Sequence, residues 1–359
     1  MSNRNYKFKN NTEGKEKFSF SKLSTFEHCQ YGYYLTYIKH IRGKDSVYGI
    51  LGTEAHECSQ DLVKNKINNE TAIDRFLTTL QDSQEVLGLK FPTPKSSITY
   101  EECISHFLEN YHPKHKEFDI EKGFDTLVGK NKALIWGFID LIIHNKDGSL
   151  DVVDYKTSSE FTKKDFIHKK MQLLIYAKAL IEDGYKIHRL YFNMLKYCAI
   201  SWSEINSKKQ LVQKSTKAER NGIGLKLKSV AKRLLKRQGL DEIDIDMRIE
   251  KMIQTNEIDE LIEDKFTISD YEVEVELSEE SIEEMEDWVD NITNKIKENG
   301  LEEKNYKCVE LNKGSEFFCN MLCGKECKFF NEYKENDNSS WKNRKKKEKE
   351  EKDEFEDLL

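Results

Sequence analysis

The sequence has no long uninterrupted apolar run and no signal-like start. A membrane-spanning helix needs about 20 mostly apolar residues, and a secretory leader needs an apolar stretch after a basic start. We therefore expect a soluble, cytoplasmic protein with no membrane partner.

The sequence also has no excess of basic residues, because 58 Lys and Arg against 65 Asp and Glu give a formal net charge of −7. This balance argues against a uniformly basic nucleic-acid binder but allows a local basic groove. The eight cysteines do not predict a disulfide framework in a cytosolic protein. Where they are grouped, they predict a metal or cluster site.

The length of 359 residues, with 37% hydrophobic and 34% charged residues, favours one catalytic domain with an insertion. We expect a flexible arm over residues 1–17, a folded domain over 18–330 and a disordered charged tail over 334–359. Within the domain, residues 51–118 predict a helical lobe, and residues 203–265 predict a charged helical insertion.

The central feature is a predicted β-hairpin over residues 134–157, with two apolar runs around an Asn145–Gly148 turn. Asp140, Asp154 and Lys156 interrupt these strands, and a charge in an apolar strand is costly unless it is paired or binds a metal. A structural ion pair between Asp154 and Lys156 is one interpretation.

A divalent metal is the other interpretation. The period of two places Asp154 and Lys156 on one face of the second strand. A loop from Asn145 to Ser149 places Asp140 opposite Asp154, whereas a shorter loop shifts the register by one. Two carboxylates this close repel each other unless a cation lies between them.

The motifs of this hairpin are Gly137-Phe-Ile-Asp140 and Asp154-Tyr-Lys-Thr157. They resemble the G-x-x-D and D-x-K-T motifs of the PD-(D/E)XK nuclease superfamily, RecB-like branch. The resemblance implies an α/β fold, in which a small mixed sheet flanked by helices carries the site. It also implies that Asp140, Asp154 and Lys156 are catalytic.

Two further segments match the same family. Residues 51–56, LGTEAH, match a G-x-x-x-H motif, although a lone histidine at a helix start is more often a cap or surface residue. The resemblance implies that His56, Asp140, Asp154 and the backbone carbonyl of Tyr155 hold Mg²⁺ or Mn²⁺.

The second segment is an amphipathic helix predicted over residues 165–183. Gln172 and Tyr176 lie four residues apart on one face of it. They match a Q-x-x-x-Y motif, which implies that they position DNA.

The cysteines fit a similar pattern. A capping box at Ser24 and Glu27 predicts a helix that continues through Cys29 to Tyr37. Residues 21–29 match an S-x-L-x-x-F-x-x-C segment, whose cysteine in many family members is the first ligand of an iron–sulfur cluster. Taken alone, Cys29 is better explained as a small buried apolar residue than as a cluster ligand.

Four further cysteines lie within residues 308–327, and the C-x3-C-x3-C spacing of the last three departs from the usual C-x2-C-x5-C of the family. One assignment is a [4Fe-4S] cluster on Cys29, Cys319, Cys323 and Cys327, which would staple the N-terminal helix to the C-terminal segment. The other is a zinc site in which Cys308 replaces Cys29.

The insertion carries opposite charges in its two halves. The second half, residues 241–264, is dominated by acids. The basic patch of the first half has two interpretations of equal weight, a guide for a DNA strand and a solvated helix face. It comprises Lys226, Lys228, Lys232, Arg233, Lys236 and Arg237. Strands are predicted on either side of the insertion, over residues 189–202 and 271–277, and Ser278 is predicted to cap the next helix.

Together these features predict a metal-dependent DNA nuclease similar to the iron–sulfur AddB-type and CRISPR-adaptation exonucleases. The resemblance implies an exonuclease acting on single strands or duplex ends in recombination and repair, phage DNA metabolism or CRISPR adaptation. A helicase, a recombinase or a CRISPR integrase is the expected partner. The alternatives are a non-catalytic DNA-binding or assembly protein and a site-specific endonuclease.

Overall fold

The computed structural model describes residues 6–41, 43, 45–205, 210–312, 315–316, 319 and 326–336. Cys323 and the part of the predicted tail beyond residue 336 lie outside these described residues. The chain divides into two units. The first comprises Met1–Phe8, Val47–Thr126 and Gly137–Glu283, and the second comprises Lys9–Ser46, Leu127–Trp136 and Glu284–Leu359. In the described part of the chain, no helix is both long and apolar enough to cross a bilayer.

The strands are β1 (Lys17–Phe18), β2 (Phe118–Val128), β3 (Ala133–His144), β4 (Ser149–Lys156), β5 (Lys186–Ile205), β6 (Leu211–Glu219) and β7 (Phe266–Glu274). The helices are α1 (Phe20–His28), α2 (Gln30–Tyr33), α3 (Val47–Val63), α4 (Asn69–Glu85), α5 (Pro94–Asn110), α6 (Lys163–Glu182), α7 (Ile223–Arg237), α8 (Glu242–Thr255) and α9 (Glu279–Asn299).

A mixed β-sheet forms the centre of the first unit, which confirms the predicted α/β core. Its strand order is β3-β4-β5-β6, with β2 beside β3 and β7 beside β5. β4 and β5 are parallel, whereas the pairs β3–β4, β5–β6 and β5–β7 are antiparallel. The parallel pair needs a crossover connection, and α6 provides it by packing against β4 and β5.

Helices α3, α4 and α5 form the predicted lobe. Their apolar sides bury Leu51, Phe76 and Phe107 in one core with Val153 and Tyr155 of β4. Thr93 caps α5 through its side chain, and Pro94 occupies the first turn, where its missing N–H leaves no helical bond unmade.

The insertion is only partly helical, which corrects the expectation for residues 203–265. Its first segment forms the end of β5 and the strand β6, and α7 and α8 follow. Residues 211–219 form a strand because they pair with the extended second half of β5, a partner that the local composition does not reveal. Gly222 caps α7, and Gly224 in its first turn lies against the backbone of α8 at Met252.

The strand after the insertion begins earlier than predicted, since β7 spans Phe266–Glu274 rather than residues 271–277. The predicted cap at Ser278 is confirmed, because the backbone N–H of Ser281 donates to its hydroxyl at 3.1 Å. The flexibility of the arm predicted over residues 1–17 stays a prediction. Within the arm, the hydroxyl of Tyr6 donates to Asp125 at 2.7 Å.

In the second unit, β1 pairs in parallel with the start of β3. The predicted capping box at Ser24 is wrong, because Ser19 caps α1 and Cys29 ends it in an extended conformation. The sulfur of Cys29 then accepts the backbone N–H of Gly32 at 3.3 Å, which caps α2. Cys29 therefore interrupts the predicted continuous helix and stands at a junction between two short helices.

Candidate active site

The two predicted catalytic carboxylates lie on neighbouring strands in the predicted register. Leu141 pairs with Val153 across the β3–β4 hairpin, so Asp140 lies opposite Asp154. The turn closes with the N–H of Asn145 donating to the carbonyl of Ser149 at 2.8 Å. The loop length that brings the carboxylates together is therefore confirmed.

Asp154 is 1% exposed and forms an ion pair with Lys156, whose Nζ lies 2.5 Å from Asp154 Oδ2. Among the described groups no donor makes a hydrogen bond to Asp154 Oδ2, and the ammonium of Lys156 balances this buried oxygen by its charge. A buried carboxylate needs such a cation, and a divalent metal ion meets the same need. This contact between Asp154 and Lys156 is also the ion pair that the structural interpretation of the hairpin predicts.

Gln172 of α6 links both charged residues. Its amide nitrogen donates to Asp154 Oδ1 at 2.9 Å, and its amide oxygen accepts from Lys156 Nζ at 3.1 Å. The same nitrogen also donates to the hydroxyl of Tyr176 at 2.7 Å. Burial, followed by the nearby carboxylates Asp154 and Asp140, raises the pKa of Tyr176 well above its usual value. Tyr176 therefore stays protonated.

His56 lies on α3 with its Nδ1 3.4 Å from Asp140 Oδ2. Burial lowers the pKa of His56 to about 4, so its imidazole is neutral at pH 7. A neutral imidazole has a free lone pair, as a metal ligand must. Gly52, one turn earlier, is needed because a Cβ there would lie 3.1 Å from the hydroxyl of Thr157, directly after the catalytic strand.

Tyr155 fixes Asp140 from the backbone, since its N–H donates to Asp140 Oδ2 at 3.0 Å. Its side chain points into the lobe, where its hydroxyl and that of Tyr111 share a hydrogen bond of 2.7 Å. The tyrosine of the DYKT motif therefore ties the catalytic strand to α5.

Lys169 is a residue near the site that the sequence analysis missed. It precedes Gln172 by three positions, which places it on the same face of α6. Burial, followed by repulsion from Lys156, lowers its pKa, and Asp154 acts in the opposite direction. The helical phase of the Q-x-x-x-Y motif is the sequence signal that indicates this position.

In the described part of the chain, no three His, Cys, Asp or Glu side chains are arranged to hold a metal ion. In the candidate active site, Asp140 and Asp154 accept hydrogen bonds from the protein itself. The donor set nevertheless fits a hard divalent cation, because it combines the two carboxylates of Asp140 and Asp154 with the neutral imidazole of His56.

The basic patch lies on α7. Its members are exposed except for Lys232, which is partly buried and paired with Asp246 of α8. The buried side of α7 packs against Cys198 and Ile200 of β5. No described contact links the patch to the catalytic side chains, so its role stays a prediction.

Four of the predicted ligand cysteines, Cys29, Cys308, Cys319 and Cys327, belong to the second unit, where Cys29 and Cys327 influence the pKa values of the other two. Burial, followed by Cys29, Cys327 and Cys319, raises the pKa of Cys308. Burial raises the pKa of Cys319 to about 11, again with contributions from Cys29 and Cys327. The N–H groups of Gly32 and Val309 donate to the sulfur of Cys29.

Comparison with known proteins gives the family. Two curated relatives, both subunits of an ATP-dependent helicase/deoxyribonuclease, are 30% identical over 183 residues in Streptococcus agalactiae and 30% identical over 178 residues in Streptococcus pyogenes. Each match covers 46% of this chain, and the chain spans only 16% of the relative's length. Among solved structures, that of SSO0001 matches with a TM-score of 0.22 and 16% sequence identity. The match covers 67% of this chain and 76% of that chain. The model of the PD-(D/E)XK nuclease superfamily matches residues 17–308, and the chain therefore belongs to that superfamily.

Proposed function

We propose that the protein is a divalent-metal-dependent nuclease that hydrolyses phosphodiester bonds in DNA. The observation that carries the proposal is the buried Asp154 oxygen without a hydrogen bond, beside Lys156 and across from Asp140. A structural ion pair explains Asp154 and Lys156, but it gives no reason for a second carboxylate and a neutral histidine beside them. The deoxyribonuclease names of the relatives support DNA as the substrate.

His56, Asp140, Asp154 and the backbone carbonyl of Tyr155 would hold Mg²⁺ or Mn²⁺. When bound, such an ion polarises the scissile phosphate and lowers the pKa of a water molecule. Lys156 orients that water and offsets the negative charge that develops on the phosphate. The hydrogen bonds of Gln172 hold the side chains of Lys156 and Asp154 in position. Gln172 also holds Tyr176 beside the DNA strand that is cut.

The substrate class follows from the resemblance to iron–sulfur exonucleases, and we propose single strands or duplex ends. The relatives' name joins a helicase to a deoxyribonuclease, which supports a helicase as partner. A recombinase and a CRISPR integrase are the other partners that this substrate class suggests.

The test is the cleavage of end-labelled single- and double-stranded DNA with Mn²⁺, Mg²⁺ or EDTA. We expect metal-dependent cleavage by the wild type and by Lys146→Ala, which removes an exposed lysine from the turn of the same hairpin. Lys156→Ala should be inactive. Cleavage of circular single-stranded DNA would exclude a strict exonuclease, and equal cleavage by Lys156→Ala would overturn the proposed site.

The cysteine group is proposed to hold a structural metal centre. The backbone N–H groups of Gly32 and Val309 donate to the sulfur of Cys29, which supports a centre that includes this sulfur. A [4Fe-4S] cluster on Cys29, Cys319, Cys323 and Cys327 predicts brown protein with broad absorption near 400 nm. Zinc bound through Cys308 predicts colourless protein with one zinc ion after anaerobic purification.

The basic patch of α7 is proposed as a surface for the DNA backbone. Each phosphate that a lysine or arginine neutralises makes binding more dependent on salt, so Lys236→Ala and Arg237→Ala, which each remove one such contact, should each reduce the slope by about 0.7 to 0.9. An unchanged slope would leave the patch as a solvated helix face.

A further inference from the structure

Strands β5, β6 and β7 form an antiparallel sheet with one open face, here called the hydroxyl face. None of the described side chains along it is buried. Its members are Ala199, Ser201 and Ser203 of β5, Gln213, Ser215 and Lys217 of β6, and Thr267, Ser269 and Tyr271 of β7. Apart from the exposed Leu211 at the far edge, these described positions carry no large aliphatic residue.

The opposite face of these strands is covered. Cys198, Ile200 and Trp202 alternate with the hydroxyl face along β5 and are buried against α7 and α8. An antiparallel sheet often leaves one face to water, which is the simplest explanation of the open side. The position of the hydroxyl face relative to the proposed catalytic residues indicates that this face also has a role in binding.

The strand register places the hydroxyl face on the same side of the sheet as the catalytic acid. Asp154 pairs with Phe192 of β5, and Phe192 pairs with Val273 of β7, so these three side chains share one face. Side chains two apart in a strand share a face, so Tyr271, Ser269 and Thr267 continue it. Six residues at about 3.4 Å each make a path of about 20 Å.

The near end of the hydroxyl face touches the loop that follows the catalytic strand. Lys217 pairs with Glu160 of this loop, and its Nζ lies 5.2 Å from the centre of the Tyr271 ring. The hydroxyl of Tyr197 accepts the backbone N–H of Glu160 at 3.1 Å. A cation and an aromatic ring therefore stand between the active site and the row of hydroxyl groups.

We propose that the hydroxyl face carries single-stranded DNA to or from the active site. Serine and threonine hydroxyls bind phosphate and sugar oxygens without reading sequence, and a tyrosine ring stacks on any base. Lys217 is the one basic residue among the members of this face, and it is already paired with Glu160, so the face binds phosphate weakly, as suits a strand that moves during repeated cleavage. A duplex has no free base for Tyr271, and a protein partner would need an apolar centre, which the described members of this face do not provide.

This inference rests on the proposed function and is tested by binding in EDTA, where no cleavage occurs. The variants are Ser215→Glu with Ser269→Glu, which add negative charge at two exposed positions, and Tyr271→Ala. The matched control is Thr78→Glu on the exposed side of α4. Each protein is titrated with labelled single strands of about 6 and about 20 nucleotides, because only the longer strand can occupy the active site and also follow the path of about 20 Å.

We expect the double variant to raise the Kd of the longer strand about 10-fold or more and Tyr271→Ala to raise it about 5-fold or more. The ratio of affinities between long and short strands should fall in both, and Thr78→Glu should match the wild type. Equal ratios in all proteins would overturn the inference and make a protein partner the occupant to test. A loss confined to duplex DNA would also overturn it. Failure of the wild type to cleave either strand with Mn²⁺ or Mg²⁺ would instead refute the proposed function.

Discussion

Replacing Gln172 by methionine should separate positioning from charge in the active site. Methionine keeps the length and helix propensity of the side chain but removes the amide that joins Asp154 at 2.9 Å to Lys156 at 3.1 Å. A hydrogen bond to a charged group contributes about 1.5 to 3 kcal/mol. If one such bond acts only in the transition state, its loss lowers kcat by about 10- to 150-fold.

The assay is single-turnover cleavage of end-labelled single-stranded DNA at saturating Mn²⁺. Gln81→Met makes the same change on the exposed side of α4 and should leave the rate unaltered. Gln172→Glu keeps an acceptor for Lys156 but faces Asp154 with a second carboxylate, so it should be no more active than the methionine variant. A rate for Gln172→Met within about twofold of wild type would refute the positioning role.

Three further predictions concern stability and are measured by urea unfolding. Asp290→Ala should cost about 2 to 4 kcal/mol, because the buried Asp290 carboxylate accepts three N–H groups of the turn after β2; the exposed Asp287→Ala should cost less than about 0.5 kcal/mol. Gly224→Ala would place a Cβ 2.0 Å from a carbonyl oxygen of α8, so it should lower the free energy of unfolding by more than about 2 kcal/mol. At Gly222 the atom nearest to an added Cβ is 3.7 Å away, so Gly222→Ala should lower the free energy of unfolding by less than about 1 kcal/mol. Burial, followed by a neighbouring guanidinium, lowers the pKa of His106 to about 4. The contribution of neutral His106 to the free energy of unfolding is therefore complete above about pH 6.5. It is lost as the pH falls towards 4, by about 2 kcal/mol after solvent screening. His106→Gln should flatten the dependence of stability on pH in that range. A small cost for Asp290→Ala, equal costs for the two glycine variants, or an unchanged slope without His106 would contradict these predictions in turn.

The catalytic hairpin could be predicted from sequence because everything that determines it is local. Alternation fixes which side chains share a face, and the turn at Asn145–Gly148 fixes the register. Asp140 therefore had to lie opposite Asp154 once the loop length was known, and the structure has this pairing.

The break at Cys29 could not be predicted in the same way. Ser19 and Ser24 both offer an N-cap, and the aromatic pattern continues through Cys29 without interruption. The helix ends because the backbone there turns extended and the cysteine sulfur takes two N–H donors, one of them from Val309 far along the chain. A contact between such distant residues leaves no local signal.

The role of Gln172 lies between these cases. The sequence indicates that Gln172 and Tyr176 share a helix face, and the structure has the hydrogen bond between them. That the amide also spans Lys156 and Asp154 depends on how α6 packs against β4. The spacing thus identified the residue, and the packing identified the partners.

A bulge in β5 explains how one strand serves two opposite layers of the protein. Asn193 pairs with Glu272 and Cys198 with Asp270, so five steps along β5 match two along β7. The odd difference inverts the alternation. Phe192 faces the catalytic side before the bulge, whereas after it Cys198 faces α7 and Ala199 faces the catalytic side. In an unbroken strand the buried row that begins at Cys198 would be exposed beside the active site, and the hydroxyl face would be hidden under α7. The bulge therefore provides an apolar contact surface for the insertion and leaves the hydroxyl face on the side of the sheet that carries Asp154, whereas the basic helix α7 packs on the opposite side.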